Sequence, residues 1–132
     1  MAVFADTSAL YAALNARDVN HLAAKEGWTN LAEQRETVVT SNYVLVETIA
    51  LIERRLGFQA VRDFISTFLP VLNVHWVDRH VHERAVAALL VSGNRDLSLV
   101  DCVSFEVMRS LGIDTAFAFD KHFQEQGFRS LI

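Results

Sequence analysis

Short apolar runs alternate along the chain with longer amphipathic stretches. Ala2–Ala5 is an apolar run that stops at Asp6 and predicts a buried strand. Thr7–Leu14 predicts a helix. A second helix is expected from about Asn20 to Gln34, with Leu22, Ala23, Trp28 and Leu31 on its apolar side and Gly27 as its weak point. Thr37–Thr40 is β-branched throughout and predicts a strand. Tyr43–Leu56 predicts a helix, because Leu45, Ile49, Ile52 and Leu56 recur on one face. Asn42 is read as its N-cap and Gly57 as its stop. Phe58–Leu69 predicts another amphipathic helix, with Val61, Phe64, Ile65 and Phe68 on one side and Pro70 closing it.

The second half follows the same rhythm. Val71–Val77 predicts a strand, His80–Val91 a helix and Ser92-Gly93-Asn94 a loop. Ser98–Leu111 predicts a helix stopped by Gly112, and Thr115–Phe119 a strand ending at Asp120. A turn of helix and a last strand at Phe128–Leu131 complete the chain. Strands that are short apolar runs between helices imply a parallel α/β sheet covered on both faces. No linker, repeat or low-complexity stretch interrupts the pattern, so residues 1–132 read as one domain.

Composition narrows the class. At 52% apolar residues, the chain has enough material for a packed core rather than a disordered tail. No apolar run reaches the ~18 residues that span a bilayer, and Met1–Asp6 lacks the basic start of a secretion signal. A cytoplasmic protein with no membrane partner is expected. The single cysteine, Cys102, belongs to no CxxC pattern and reads as a buried packing residue. The net charge of −4 argues against a binder of phosphate backbones. That objection weakens if some of the acids hold cations, which invert the local field.

Four acids bear on this point. Asp6 and Asp120 follow the first and fourth predicted strands, at the carboxyl ends where open parallel sheets bind ligands. Each could instead be a plain N-cap. Asp101 completes a Ser98-x-x-Asp101 capping box, which also needs no chemistry. Glu47 points nearly opposite the Leu45, Ile49, Ile52 stripe at about 100° per residue. Its neighbours Val44, Val46, Ala50 and Leu51 are apolar, so the helix reads as apolar nearly all round and buried, and an acid on it needs a partner. If the four converge, they cannot all stay ionised without a cation. Carboxylate oxygens suit magnesium or manganese, and no Cys/His set competes for zinc. Ions so held, about 4 Å apart when paired, activate water against phosphodiesters.

At these residues the chain resembles the PIN-domain family, in particular the VapC-type toxins of toxin–antitoxin pairs. The resemblance lies in Asp6-Thr7-Ser8, Ser41–Thr48, Asp96–Cys102 and Phe117–Phe123 followed by Gly127-Phe128, four motifs in order over nearly the whole chain. It implies a three-layer α/β/α sandwich with a central parallel sheet of four to five strands. It also implies magnesium- or manganese-dependent endoribonuclease activity on RNA, a homodimer, and a small antitoxin that blocks the pocket with a basic side chain. Asp6, Glu47, Asp101 and Asp120 carry over as catalytic, metal-binding acids, and Thr7, Ser8 and Ser98 as hydroxyls that orient them or their waters. One departure is visible: the family often has Thr two residues before the fourth acid, and Ala118 stands there.

Other residues carry weaker signals. His80 and His82 are two apart and diverge on a helix, and His122, close after the fourth acid, could touch substrate but reads first as a surface histidine. Arg17, Lys25, Arg54, Arg55 and Arg95 could meet phosphates or simply be solvated. Trp28, Trp76, Tyr11 and Tyr43 could stack bases but read first as packing residues, as do Phe119 and Phe123. Two rival functions are a silent RNA- or protein-binding module on the same scaffold, and a phosphoryl-accepting signalling domain or phosphatase. The last class fits poorly, since only Asp6 stands at the first strand end and Ser8 replaces the second acid of a D-x-D.

Overall fold

The computed structural model describes residues 1–132. Its centre is a five-stranded sheet in the order β3-β2-β1-β4-β5. The strands are β1 (Ala2–Ala5), β2 (Thr37–Ser41), β3 (Asn73–His75), β4 (Thr115–Phe117) and β5 (Arg129–Ser130), and every pairing is parallel. Parallel strands need crossover connections, and helices supply them: α1 (Thr7–Leu14), α2 (His21–Glu33), α3 (Asn42–Leu56), α4 (Phe58–Asp63), α5 (Arg79–Ser92), α6 (Leu99–Leu111) and α7 (His122–Glu125). The sheet is flanked by helices, as the alternating pattern implies. Val3, Phe4, Ala5, Phe117 and Ala116 are buried at its centre, with Leu10, Val44, Ile52, Val103 and Met108 from the helices above and below.

The chain runs outward from β1 through β2 to β3, then returns to the other side of β1 for β4 and β5. The order therefore reverses between β1 and β4. Crossovers leave β1 toward β2 and arrive at β4 from the opposite side, which opens a crevice at the carboxyl ends of these two strands. Asp6 and Asp120 lie beyond those two ends.

Several expectations need correction. Ser41, not Asn42, caps α3, its hydroxyl accepting from the Val44 amide at 3.2 Å. Asn42 is instead the first helical residue, and its side-chain oxygen accepts from the Val77 amide at 2.8 Å, tying α3 to the chain after β3. The helix expected over Phe58–Leu69 is α4 followed by a π-helical turn (Phe64–Phe68) and a 3-10 turn (Leu69–Val71). The widened turn buries Phe64 while leaving Ile65 exposed, so the expected four-residue apolar face is broken. Leu22 is exposed on α2, and Val46 and Ala50 are exposed on α3, so α3 is not apolar and buried all round. The strand expected to reach Phe119 ends at Phe117, because the Phe119 amide donates to Ser8 Oγ at 3.0 Å rather than to a neighbouring strand. Gly27, the weak point of α2, has a packing reason: a Cβ there would meet the Phe117 ring at 3.0 Å.

Candidate metal centre

The N-terminal acid is fixed by the strand-to-helix turn that bears it. The Asp6 amide donates to the Phe117 carbonyl at 3.0 Å, which holds the turn against β4. Its carboxylate caps α1: Oδ2 accepts from the Ser8 amide at 3.2 Å and the Ser8 hydroxyl at 2.7 Å. Asp101 sits in the capping box of α6, its Oδ2 accepting from the Ser98 amide and the Ser98 hydroxyl accepting from the Asp101 amide, each at 3.1 Å. Asp120 turns the chain into α7, its Oδ1 accepting from the His122 amide at 2.9 Å.

Each of these carboxylates thus uses one oxygen to tie off its own element. The other oxygen, Oδ1 of Asp6, Oδ1 of Asp101 and Oδ2 of Asp120, has no partner in the chain, and Glu47 accepts no hydrogen bond at all. No buried side-chain oxygen or nitrogen is left unsatisfied, so these free oxygens reach solvent. Asp6, Glu47, Asp101 and Asp120 line a single cavity of about 450 Å³, together with Thr7, Ser8, Ala50, Leu51, Arg54 and Ser98. Capping and convergence are therefore compatible: each capping carboxylate keeps one oxygen free of the chain, and all four acids line the hollow.

The electrostatic consequence is clear at Asp6. Burial pushes its carboxyl up from 3.8 to about 7, and the neighbouring charges of Asp101 and Glu47 add to the rise, against the opposing bonds from Ser8. Burial also raises Asp101, helped by Asp120 and opposed by the bonds from Ser98 and by His122. A cavity that disfavours its own anions in this way is stabilised by a cation. The donors are all hard oxygens, which fits a magnesium-type ion. The fit has a limit, because no three acids or histidines are drawn close enough to grip one ion between them. One or two direct carboxylates with waters filling the remaining positions suit the habit of magnesium.

The hydroxyls expected to orient the acids divide. Ser8 fits, linking Asp6 to the Phe119 amide. Thr7 lines the cavity, and its hydroxyl bonds no acid: it donates to the Val44 carbonyl at 3.5 Å and accepts from Thr48 at 3.1 Å, locking α1 to α3. Ser98 holds Asp101 through both groups, its amide donating to the carboxylate and its hydroxyl accepting from the Asp101 amide. His122 is buried rather than on the surface, its Nδ1 3.1 Å from Glu125 and its Nε2 3.8 Å from Asp120. The Asp120-x-His122-x-x-Glu125 spacing was the available signal for it. Thr48 was missed because a threonine inside a helix has no distinguishing pattern. Trp76 is exposed, whereas Trp28 packs against Phe68 and Phe117. Tyr43 bonds His82 through its hydroxyl. Cys102 is buried and its thiol raised by burial, as a packing residue should be.

The chain as a whole is matched by known proteins. The family model of the PIN domain covers residues 3–129. The chain belongs to the PIN domain family. Within it, the chain is 40% identical over 127 residues to VapC20 of Mycobacterium tuberculosis, named as a 23S rRNA-specific endonuclease, with 96% of this chain and 95% of that one covered. The crystal structure of that protein, described as a sarcin-ricin loop cleaving toxin, superposes with a TM-score of 0.85 at the same coverage. Two more distant structures share the fold. VapBC2 of Rickettsia felis, bound to a promoter DNA fragment, gives a TM-score of 0.70 at 15% identity, over 98% of this chain and 97% of that one. FitAcB of Neisseria gonorrhoeae gives 0.68 at 13%, over 98% and 96%. This PIN domain is accordingly a nuclease of the VapC toxin type. Such nucleases generally depend on a divalent metal ion. No helix of the chain is long and apolar enough to cross a membrane.

Proposed function

We propose that this PIN domain is the toxin of a toxin–antitoxin pair, cutting structured RNA with a magnesium or manganese ion held by Asp6 and Asp101 and supported by Glu47 and Asp120. The observation that carries the reading is that these four acids, distant in sequence, line one cavity at the sheet's switch point. When bound, a divalent ion supplies the pull that makes an attacking water acidic and offsets charge on the leaving oxygen. The chain's own residues then do the positioning. Ser8 and the Ser98 amide fix the two buried carboxylates, and the α1–α3 lock through Thr7 and Thr48 keeps Glu47 facing them. Asp120 is held by the His122 amide with one oxygen left over for a water.

The 40% identical relative is named for 23S ribosomal RNA, which makes ribosomal RNA the first substrate to try. The neighbouring folds include toxin–antitoxin assemblies, which supports an antitoxin whose basic side chain would enter the acidic cavity. A homodimer and a cytoplasmic site of action complete the proposal. The test is cleavage of purified ribosomes or ribosomal RNA by the purified protein with manganese. Wild type should cut at discrete positions and lose all cutting with a chelator. Asp6→Asn should fall to background while keeping its fold by circular dichroism. An Asp6→Asn variant that cuts like wild type would remove the acids from the chemistry.

A further inference from the structure

A second cavity opens beside the acids, and the two share Asp120. It has a volume of about 190 Å³ and is lined in part by Ala118, Phe119, Lys121, Gln124 and Ser130, at the ends of β4 and β5. Its shape follows from the early end of β4. The Phe119 amide bonds Ser8, so the chain leaves the sheet after Phe117, and the small residues Ala116 and Ala118 line the space beyond together with Phe123 and Ile132. The volume is below the range of about 300–1,000 Å³ for drug-sized ligands, and suits one planar ring system.

The lining has the chemistry of a nucleotide. Phe119 is half-buried and offers an aromatic surface, which any base can stack on. Gln124 is exposed, and its carboxamide makes no hydrogen bond within the chain, so it is free to pair a donor and an acceptor with a base edge. Lys121 is exposed and forms no ion pair, and it stands next to Asp120 at the boundary with the acidic cavity. A phosphate at the acids would place the neighbouring base at this opening.

We propose that this cavity is a nucleotide subsite of the RNA, which takes the base adjoining the scissile phosphate and sets sequence preference there. The assignment rests on the ribonuclease reading above. Phe119 stacks the base, Gln124 reads its edge and Lys121 meets the phosphate between base and acids.

The test uses the full chain, manganese and a pool of RNA oligonucleotides randomised around one cut position, with cut sites sequenced and KM and kcat measured on a preferred oligonucleotide. Gln124→Ala should flatten base preference at one position next to the cut by roughly tenfold, with kcat on the best substrate little changed. Phe119→Leu keeps apolar volume while deleting the stacking face, and should raise KM by roughly tenfold with kcat held. Lys121→Ala should raise KM and weaken its dependence on salt, whereas Arg62→Ala, on exposed α4 outside both cavities, should change nothing. A wild type that cuts, with Gln124→Ala and Phe119→Leu folded and giving the same cut-site pattern and KM, overturns the subsite alone. A wild type that cuts no RNA overturns the function proposed above and the subsite with it.

Discussion

Asp6 caps α1 with one oxygen and holds its charge where little water reaches it. These roles have opposite effects on folding. The folded carboxyl titrates near 7 against an ordinary 3.8, so the folded state binds a proton that the unfolded chain has released. With no metal bound, the stability Asp6 contributes is full below about pH 4 and is lost as pH rises through about 7. Asp101 shifts the same way. Asp6→Asn keeps an acceptor for Ser8 and removes the buried charge. In urea titrations of the metal-free protein it should therefore be more stable than wild type at pH 8, with the gap closing toward pH 4. At about 1.4 kcal/mol per pKa unit, the gain is bounded by about 4 kcal/mol. A variant less stable than wild type at pH 8 would show that the charge is not under strain. The identity of this acid was legible in the sequence, from its place after an apolar run. Its strain was not, because burial depends on Phe117 and α3, which are remote in the chain. His122 teaches the same lesson: only the packed α7 takes it out of water.

Elements were legible where one local signal dominated. The capping box of α6 and the Gly57 and Gly112 stops behaved as their residue types dictate. Signals failed where a remote partner competed. Asn42 is as good a cap as Ser41 by type, but the Val77 amide claims its side chain. Phe58–Leu69 has a helical apolar pattern, yet with Phe64 buried and Phe68 against Trp28 the helix gives way to a widened turn. Gly27 is the sharpest case. Alanine would gain up to about 1 kcal/mol of helix propensity, but its methyl would press on Phe117, which is fully buried and stacked by Trp28. Overpacking of this kind costs about 1–3 kcal/mol. Gly27→Ala should lower the urea midpoint, by about 1 kcal/mol, with cleavage unaffected at temperatures where it is folded. A raised midpoint would mean that the ring yields and α2 is limited by propensity alone.

On the scale of the whole molecule, a net charge of −4 and an acidic cavity both oppose an RNA ligand until a cation is present. Ion binding to the folded state should also raise its stability, by about 2.7 kcal/mol at a hundred times the dissociation constant. Manganese should therefore raise the melting temperature of wild type, more at pH 8 than at pH 6, where protons compete for Asp6. The rise should be largely absent in Asp6→Asn. Equal rises in both proteins would place the ion elsewhere. The sequence by itself determined the alternation of strands and helices, hence the parallel sheet, and the ordered series of acids, since both are written in local periodicity and residue type. Only the tertiary structure decided that those acids share one hollow, that each keeps one oxygen free, and that a second cavity adjoins them at Asp120. The reversal of strand order between β1 and β4 joins ends more than a hundred residues apart, and no local pattern encodes which strands become neighbours.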